Sequence, residues 1–566
     1  MTVALERELA GVSPLWQGRL LSVGQVGSLV RIPQGPVDLL ATVDLVGISE
    51  LSRPPLPAQL PQPGERWLQV QLLGEVDALG RFQRGVSKYP SLDDTVHFVT
   101  SQQLRAVYPE ASEERIRLGV LAAAPTVSFT LAGDPLVTRH AAVVGSTGAG
   151  KTSAVVSLIH NFVREGWTSA NIIVIDPHGE YAQALSDVAD VRSVLGRGSE
   201  FLRMPYWALP AEDILRLFCG VVESQIILAR FNDLVTDARR SFAQAAHWID
   251  TDLSAVSADT PIPFDLRSVW SHLDRDNKAT YSEAQGRGEP QVEEEGDPST
   301  LKPWRFAPPA MGAAAPFKGP VFGNYGTIPD RLRVRILDSR FRFLLEPSGE
   351  VDSDVLVDVI NEWLGGDKAV SVLNFSGVSA EAADLAIGAV IQLLFELAVR
   401  SREDGIGRPR PVLIVLEEAH RYLSDSTSTR IAREASNRIA REGRKHGIGL
   451  LLVTQRPSEL PATALAQCGT IFALRLTNAT DQGTVRAALP DSVSGLAGAL
   501  SALRTGEAIV SGEAVVLPTR VIIDRPEPEP DAADPSLAPW RAPPHRNEVE
   551  GAVARWRGLQ QEGEDD

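Results

Sequence analysis

The stretch Ala141-Ala142-Val143-Val144-Gly145-Ser146-Thr147-Gly148-Ala149-Gly150-Lys151-Thr152-Ser153-Ala154-Val155-Val156 decides the fold. Its first four residues read as a buried strand, and its last four open a helix. Between them, Gly145–Thr152 fits the pattern G-x-x-x-x-G-K-[ST]. Glycines there let consecutive backbone N–H groups turn inward onto phosphate oxygens. The helix N-terminus adds partial positive charge at the same place. The spacing therefore predicts an ATP-binding loop lined by Gly145, Ser146, Thr147, Gly148, Ala149, Gly150 and Ser153. Lys151 is expected to reach the β- and γ-phosphates, and Thr152 to set its hydroxyl on Mg²⁺. The bland alternative is a glycine-rich turn that happens to hold a lysine. Lysine is scarce in this chain, at positions 88, 151, 278, 302, 318, 368 and 445, which weakens that alternative.

Outward from the loop, buried-looking strands alternate with helical patterns, as in a parallel α/β sheet. The strands expected are Ala141–Val144, Ile172–Asp176, Ala369–Phe375, Val412–Leu416, Gly449–Thr454 and Thr470–Leu476. Residues 15–105 show short apolar runs, such as Leu20-Leu21-Ser22-Val23 and Trp67–Leu72, separated by turn residues, and suggest a small β-barrel. Residues 106–135 read as a connection with one amphipathic stretch. A polar and helical section interrupts the sheet over 208–345. Within it Ala211–Ala245 reads as helix and Glu283–Pro303 as a mobile loop. The run Arg525-Pro526-Glu527-Pro528-Glu529-Pro530 is an extended linker to an amphipathic helix near Asn547–Gln560. The expected domains are thus a barrel over 1–110, an ATPase core over 111–207 and 346–525, an insertion over 208–345, and a C-terminal linker and helix over 526–566.

Several strand ends carry chemistry. Val412–Leu416 runs into Glu417-Glu418-Ala419-His420, and a carboxylate buried there needs a partner. A Mg²⁺ with its waters supplies one. Glu418 is the expected activator of the attacking water, and Glu417 a member of the metal shell. Asp176, which ends another strand, is expected to hold the metal or polarise water; His178 reads as structural. Gln455, after Gly449–Thr454, has the amide needed to sense a γ-phosphate. Arg139 is expected near the phosphates. Arg433, Arg438, Arg441, Arg444 and Lys445 share a helix, and the spacing of three puts Arg438, Arg441 and Arg444 on one face. The bland reading is a solvated basic face. The sharper one is that Arg441 or Arg444 reaches a neighbouring subunit's γ-phosphate.

The chain has 566 residues, 43% of them hydrophobic, and a net charge of −17. Its length fits two or more folded units. The acidic balance argues against a surface that is basic all round, although a ring can confine basic groups to a channel. Cys219 and Cys468 lack zinc spacing and read as small buried hydrophobes in a reducing compartment. The N-terminus lacks a signal-peptide pattern, and no uncharged apolar run reaches membrane-spanning length. The expectation is a cytoplasmic protein with no membrane partner.

These pieces, in this order, resemble the HerA–FtsK group of hexameric DNA-pumping ATPases, and HerA most closely. The matching residues are Gly145–Thr152, then Asp176-Pro177-His178-Gly179-Glu180-Tyr181, then Leu416–Leu423, then the continuous run 439–461. Gly80–Val86 with Tyr89-Pro90 resembles the barrel that precedes the ATPase in HerA. The resemblance covers about 15–525, with an ill-matched stretch near 240–340. It implies an α/β fold with a RecA-like core and parallel central sheet, a small N-terminal β-barrel, a helical insertion and a C-terminal brace. It also implies a homo-hexamer that uses ATP and Mg²⁺ to move double-stranded DNA. The implied partner is a NurA-like nuclease, or a sirtuin-like or other phage-defence effector. Arg139 falls at a family arginine that acts at the nucleotide, and 441–444 at the family's trans-acting arginine region. Glu417 stands where the RecA-like pattern more often has Asp. An alternative is a ring scaffold in which bound ATP assembles an effector without translocation. A secretion or conjugation ATPase would want a membrane segment.

Overall fold

The computed structural model describes the chain except for residues 6–14, 17–18, 21–24, 49–65, 312–313, 347, 402–404, 424–429, 491–492, 531–536, 542–548 and 557–566. The chain forms two compact units, Met1–Leu202 with Ile360–Asp531 and Arg203–Val359 with Ala532–Asp566.

The first unit is built on an eleven-stranded sheet. Its order is Ala124–Ala132, Arg115–Leu121, Thr519–Ile523, Glu507–Gly512, Thr470–Ala473, Ala141–Val144, Ile448–Thr454, Val412–Leu416, Asn171–Asp176, Val370–Asn374 and Ala189–Ser193. From Thr470–Ala473 onward the strands are parallel. Apart from the edge strand Ala189–Ser193, which carries Asp190, Arg192 and Ser193, they are largely apolar because helices cover both faces of a parallel sheet. All six strands expected from sequence are present, within a few residues at their ends.

The remaining strands pair antiparallel, so the sheet is mixed rather than wholly parallel. Residues 106–135 are therefore more than a connection. They contain the hairpin Arg115–Leu121 and Ala124–Ala132, which joins the sheet through Thr519–Ile523. Ile116, Leu118 and Leu121 face the core while Arg117 pairs with Asp524 at 2.8 Å. That pairing partner lies 407 residues away, and no local pattern encodes it.

The helix Ala380–Arg400 is capped by the Ser379 hydroxyl, which accepts from the Ala382 N–H. It packs on Arg430–His446 so closely that a Cβ at Gly388 would lie 2.7 Å from the Ala432 nitrogen. By length and composition this helix could cross a membrane, although Glu381, Asp384, Glu396 and Arg400 leave it no uncharged run of spanning length. However, 67% of its most apolar window is buried in protein, as in a core helix.

The N-terminal residues form a six-stranded antiparallel sheet. Its order is Thr2–Ala4, Arg66–Val76, Val37–Ile48, Leu29–Gln34 and His97–Phe98, with Phe82–Arg84 also on Arg66–Val76. It is a half-barrel, with Val30, Ala41, Val43, Leu68 and Val70 at its centre. Part of the expected run Leu20–Val23 lies outside the described residues. Arg84 fastens this sheet to the core, donating to the carbonyls of Gly512 at 2.8 Å and Val515 at 2.7 Å.

The second unit interrupts the sheet between Ala189–Ser193 and Val370–Asn374. The segment Ala211–Ala245 is two helices, Ala211–Cys219 and Gln225–Ala245, because Gly220 turns the chain at φ +75°. The segment Glu283–Pro303 is not a structureless loop. Thr280–Glu283 pairs with Arg287–Pro290 and Phe317–Lys318, and Val292–Glu294 with Arg305–Phe306. Its acidic run is offset by Lys302 at 3.3 Å from Glu294 and Arg305 at 3.3 Å from Glu293. Of the expected C-terminal helix near Asn547–Gln560, Glu550–Trp556 is helical, and 547–548 and 557–560 lie outside the described residues. Both cysteines are free, and burial pushes each thiol up to about 12.

Candidate nucleotide-binding site

The strands Ala141–Val144, Ile448–Thr454, Val412–Leu416 and Asn171–Asp176 are consecutive neighbours running the same way. Their C-terminal ends therefore share one sheet edge, where open α/β sheets place ligands. Gly145–Thr152, Gln455, Glu417, Glu418 and Asp176 all fall on it.

The loop turns between strand and helix on left-handed glycines, Gly148 at φ +72° and Gly150 at φ +96°. A Cβ at Gly145 would lie 2.9 Å from that of Leu474. Gly150 heads the helix Lys151–Arg164 without a side-chain cap, so the first N–H groups are left for an anion. Lys151 is buried, its Nζ 3.5 Å from the Ser146 carbonyl. The Thr147 hydroxyl donates to Gln455 Oε1 at 2.6 Å, which joins the loop to the neighbouring strand end.

Asp176 is fully buried and already engaged. Its Oδ1 accepts from the N–H groups of His178 at 3.1 Å and Gly179 at 2.8 Å, and its Oδ2 from that of Tyr181 at 3.0 Å. It builds a tight turn that presents two side chains the sequence reading left without a role. Glu180 Oε2 accepts from the Thr152 hydroxyl at 3.0 Å. The Tyr181 hydroxyl donates to Glu417 Oε2. Their place in the Asp176–Tyr181 string was the only sequence signal for either.

Glu417 is buried, and burial pushes its carboxyl up to about 8 against the hydrogen bond from Tyr181. The same burial, with Glu417 beside it, drives the Tyr181 phenol well above its ordinary value. Glu418 behaves oppositely. Burial alone would raise it, but the neighbouring His420 and the charge of Lys151 outweigh that and hold it below the ordinary carboxylate range. Its Oε2 lies 3.2 Å from His420 Nδ1, yet is buried with no aligned hydrogen-bond donor. Glu418 also sits at φ +52°, a conformation that costs a non-glycine residue of order 1–3 kcal/mol. Two adjacent acids are thus split into a neutral buried one and an ionised, strained one with an open oxygen.

Among the described residues, no cluster of three or more His, Cys, Asp and Glu side chains could hold a metal by itself. The donors present are oxygens, from Thr152, Glu180, Glu417 and Asp176. That set suits Mg²⁺, which takes few protein ligands and keeps waters and phosphate oxygens.

The arginines stand elsewhere. Arg139 lies two residues before the Ala141–Val144 strand, at the end remote from the loop, and pairs with Glu513. Strands of this length put it roughly 15–20 Å from the phosphate position, so it is not close to the phosphates of its own chain. Arg441 and Arg444 occupy the last turns of Arg430–His446, just before the start of Ile448–Thr454, at that same remote edge. Both are exposed, and neither pairs with a carboxylate among the described residues. Arg438 instead pairs with Glu396 at 2.8 Å and covers Phe395.

Residues 116–394 match the family Helicase HerA, central domain, and residues 349–521 match Helicase HerA-like C-terminal. The DNA double-strand break repair helicase HerA of Sulfolobus acidocaldarius is 26% identical over 86% of this chain and 84% of its own length. The protein of that name from Pyrococcus furiosus is 26% identical over 76% of this chain and 72% of its own. Among solved structures, VirB4 of Thermoanaerobacter pseudethanolicus is similar over 73% of this chain and 97% of its own, with 14% identity and a TM-score of 0.44. The two family matches run from the first core strand to the last, across every strand end that carries the site, and the chain belongs to the HerA helicase family.

Proposed function

We propose that this chain is an ATP-hydrolysing motor that moves or unwinds double-stranded DNA as a homo-hexameric ring. The family and the helicase names of its relatives support a DNA-acting ATPase. The observation that carries the ring is the split of the site across the sheet. The loop, Lys151, Glu418 and Gln455 occupy one edge, and Arg139, Arg441 and Arg444 the other. The arginines cannot serve their own chain's nucleotide. A head-to-tail ring apposes one subunit's remote edge to the next subunit's loop, and closes on itself.

In this reading Gly145–Ser153 cradle the triphosphate and Lys151 neutralises its terminal oxygens. Mg²⁺ would be held by Thr152, with Glu180, Asp176 and Glu417 acting through water, and supplies charge neutralisation when bound. Glu418 takes the proton of the attacking water through its open oxygen. Gln455 reports the γ-phosphate to the loop through Thr147. Arg441 or Arg444, with Arg139, stabilises the transition-state charge from the neighbouring subunit. A nuclease or defence effector in the cytoplasm would use the motor's output.

The test is ATP turnover by the full chain with and without duplex DNA. Wild type should be DNA-stimulated, and both Lys151→Ala and Glu418→Gln should lose about a hundredfold or more. Wild-type turnover no greater than that of either variant would sink the reading. DNA association should weaken steeply with salt, since phosphate contacts dominate.

A further inference from the structure

A loop that binds phosphate with inward N–H groups must turn its carbonyls outward, and those carbonyls need donors of their own. The structure supplies them from two segments that lie far away in sequence. Gly148 O accepts from Arg475 Nη2 at 3.2 Å and from the Thr505 hydroxyl at 3.3 Å. Ala149 O accepts from the Gly506 N–H at 3.1 Å. The Gly506 nitrogen is also what a Cβ at Gly150 would meet, at 3.3 Å. Arg475 further accepts the Ser146 N–H on its carbonyl at 2.8 Å.

These contacts fall on the peptides flanking Gly148 and Gly150, whose positive φ makes them the ones most able to flip. Each flip would swap an inward N–H for an inward carbonyl and repel a phosphate. The outer donors oppose it. Gly506 is anchored in turn, since its carbonyl accepts from the Ile523 N–H at 2.9 Å and the next residue, Asp524, pairs with Arg117.

We infer that Arg475, Thr505 and Gly506 are positioning residues that lock the phosphate loop in its binding conformation from behind. They also couple the loop to the last strand pair of the core. This inference rests on the reading of Gly145–Thr152 as a nucleotide loop, but its first readout does not.

The experiment uses the full chain with Thr505→Val, Thr505→Ser and the double variant Thr505→Val/Arg475→Gln. Amide exchange is followed at 148–152 without nucleotide, and then KM and kcat for ATP are measured. Each lost hydrogen bond should weaken the lock by about threefold to tenfold. Exchange in the loop should quicken by that factor in Thr505→Val and further in the double variant. KM should rise in step while kcat holds within about twofold, and Thr505→Ser should match wild type. Loop exchange unchanged in the double variant overturns the lock. So does equal loss in Thr505→Ser and Thr505→Val, because the hydroxyl would then be irrelevant. A wild type that binds no nucleotide would overturn the ATP reading instead, and the exchange result would still decide the lock.

Discussion

Replacing Glu180 by alanine isolates the metal side of the site. The Thr152 hydroxyl donates to Glu180 Oε2 at 3.0 Å. Asp176 is held by three backbone N–H groups, and Glu417 by Tyr181. Glu180 is therefore the carboxylate that orients the loop hydroxyl, pointing its proton away so that its lone pairs face the ion. A hydrogen bond to a charged acceptor contributes about 1.5–3 kcal/mol. Glu180 is half-exposed, so solvent screening favours the lower end. At about 1.4 kcal/mol per decade this is roughly tenfold. Glu180→Ala should raise the Mg²⁺ concentration for half-maximal binding of a fluorescent ATP analogue by about that factor. Glu180→Gln, which keeps a neutral acceptor, should raise it less. Binding of the same analogue in EDTA should be equal in all three proteins, because Lys151 and the loop amides are untouched. The same Mg²⁺ midpoint in a folded Glu180→Ala protein and in wild type would refute the assignment. It would return the metal to Asp176 or Glu417.

Two further outcomes follow from the same geometry. Glu417 is raised to about 8 in the folded chain. Between its unfolded value near 4.3 and 8, the folded state holds a proton that the unfolded state has released. Stability should therefore fall as pH rises through this window. Glu417→Gln, with no proton to lose, should flatten the melting temperature against pH between 5 and 8, and an unchanged profile would count against a neutral Glu417. For the arginines, Arg441→Ala and Arg444→Ala should each be mixed with Lys151→Ala subunits. Turnover should recover in mixtures with whichever arginine acts between subunits. Recovery in neither mixture would remove both from that role.

The loop and the strands beside it were legible in the sequence because their signals are contiguous. Four apolar residues, a glycine pattern and a helix start are enough to place Gly145–Thr152, and an apolar run ending in Glu417-Glu418 marks its own strand end. The family followed from the order of such strings. The two acids could not be told apart in this way. Glu417 is neutral because a dry interior surrounds it, against the hydrogen bond from Tyr181, and Glu418 is charged because His420 and Lys151 face it. Asp176 carries the sequence signal, yet it is occupied by its own turn, and Glu180 is what touches Thr152.

By itself the sequence determined the phosphate loop, the parallel core strands, the catalytic sheet edge and the family. The first three are encoded in runs of fewer than ten residues, with the periodicity of one strand or one turn, and the family in the order of such strings together with the longer run 439–461. The tertiary structure set Arg139 at the far end of its strand from the phosphates, because an extended strand converts the six residues from Arg139 to Gly145 into roughly 15–20 Å. Only it brought Arg475 and Thr505 behind Gly148, and Arg117 to Asp524. Those contacts join segments hundreds of residues apart, and a hydrogen bond across such a span leaves no mark on either segment alone.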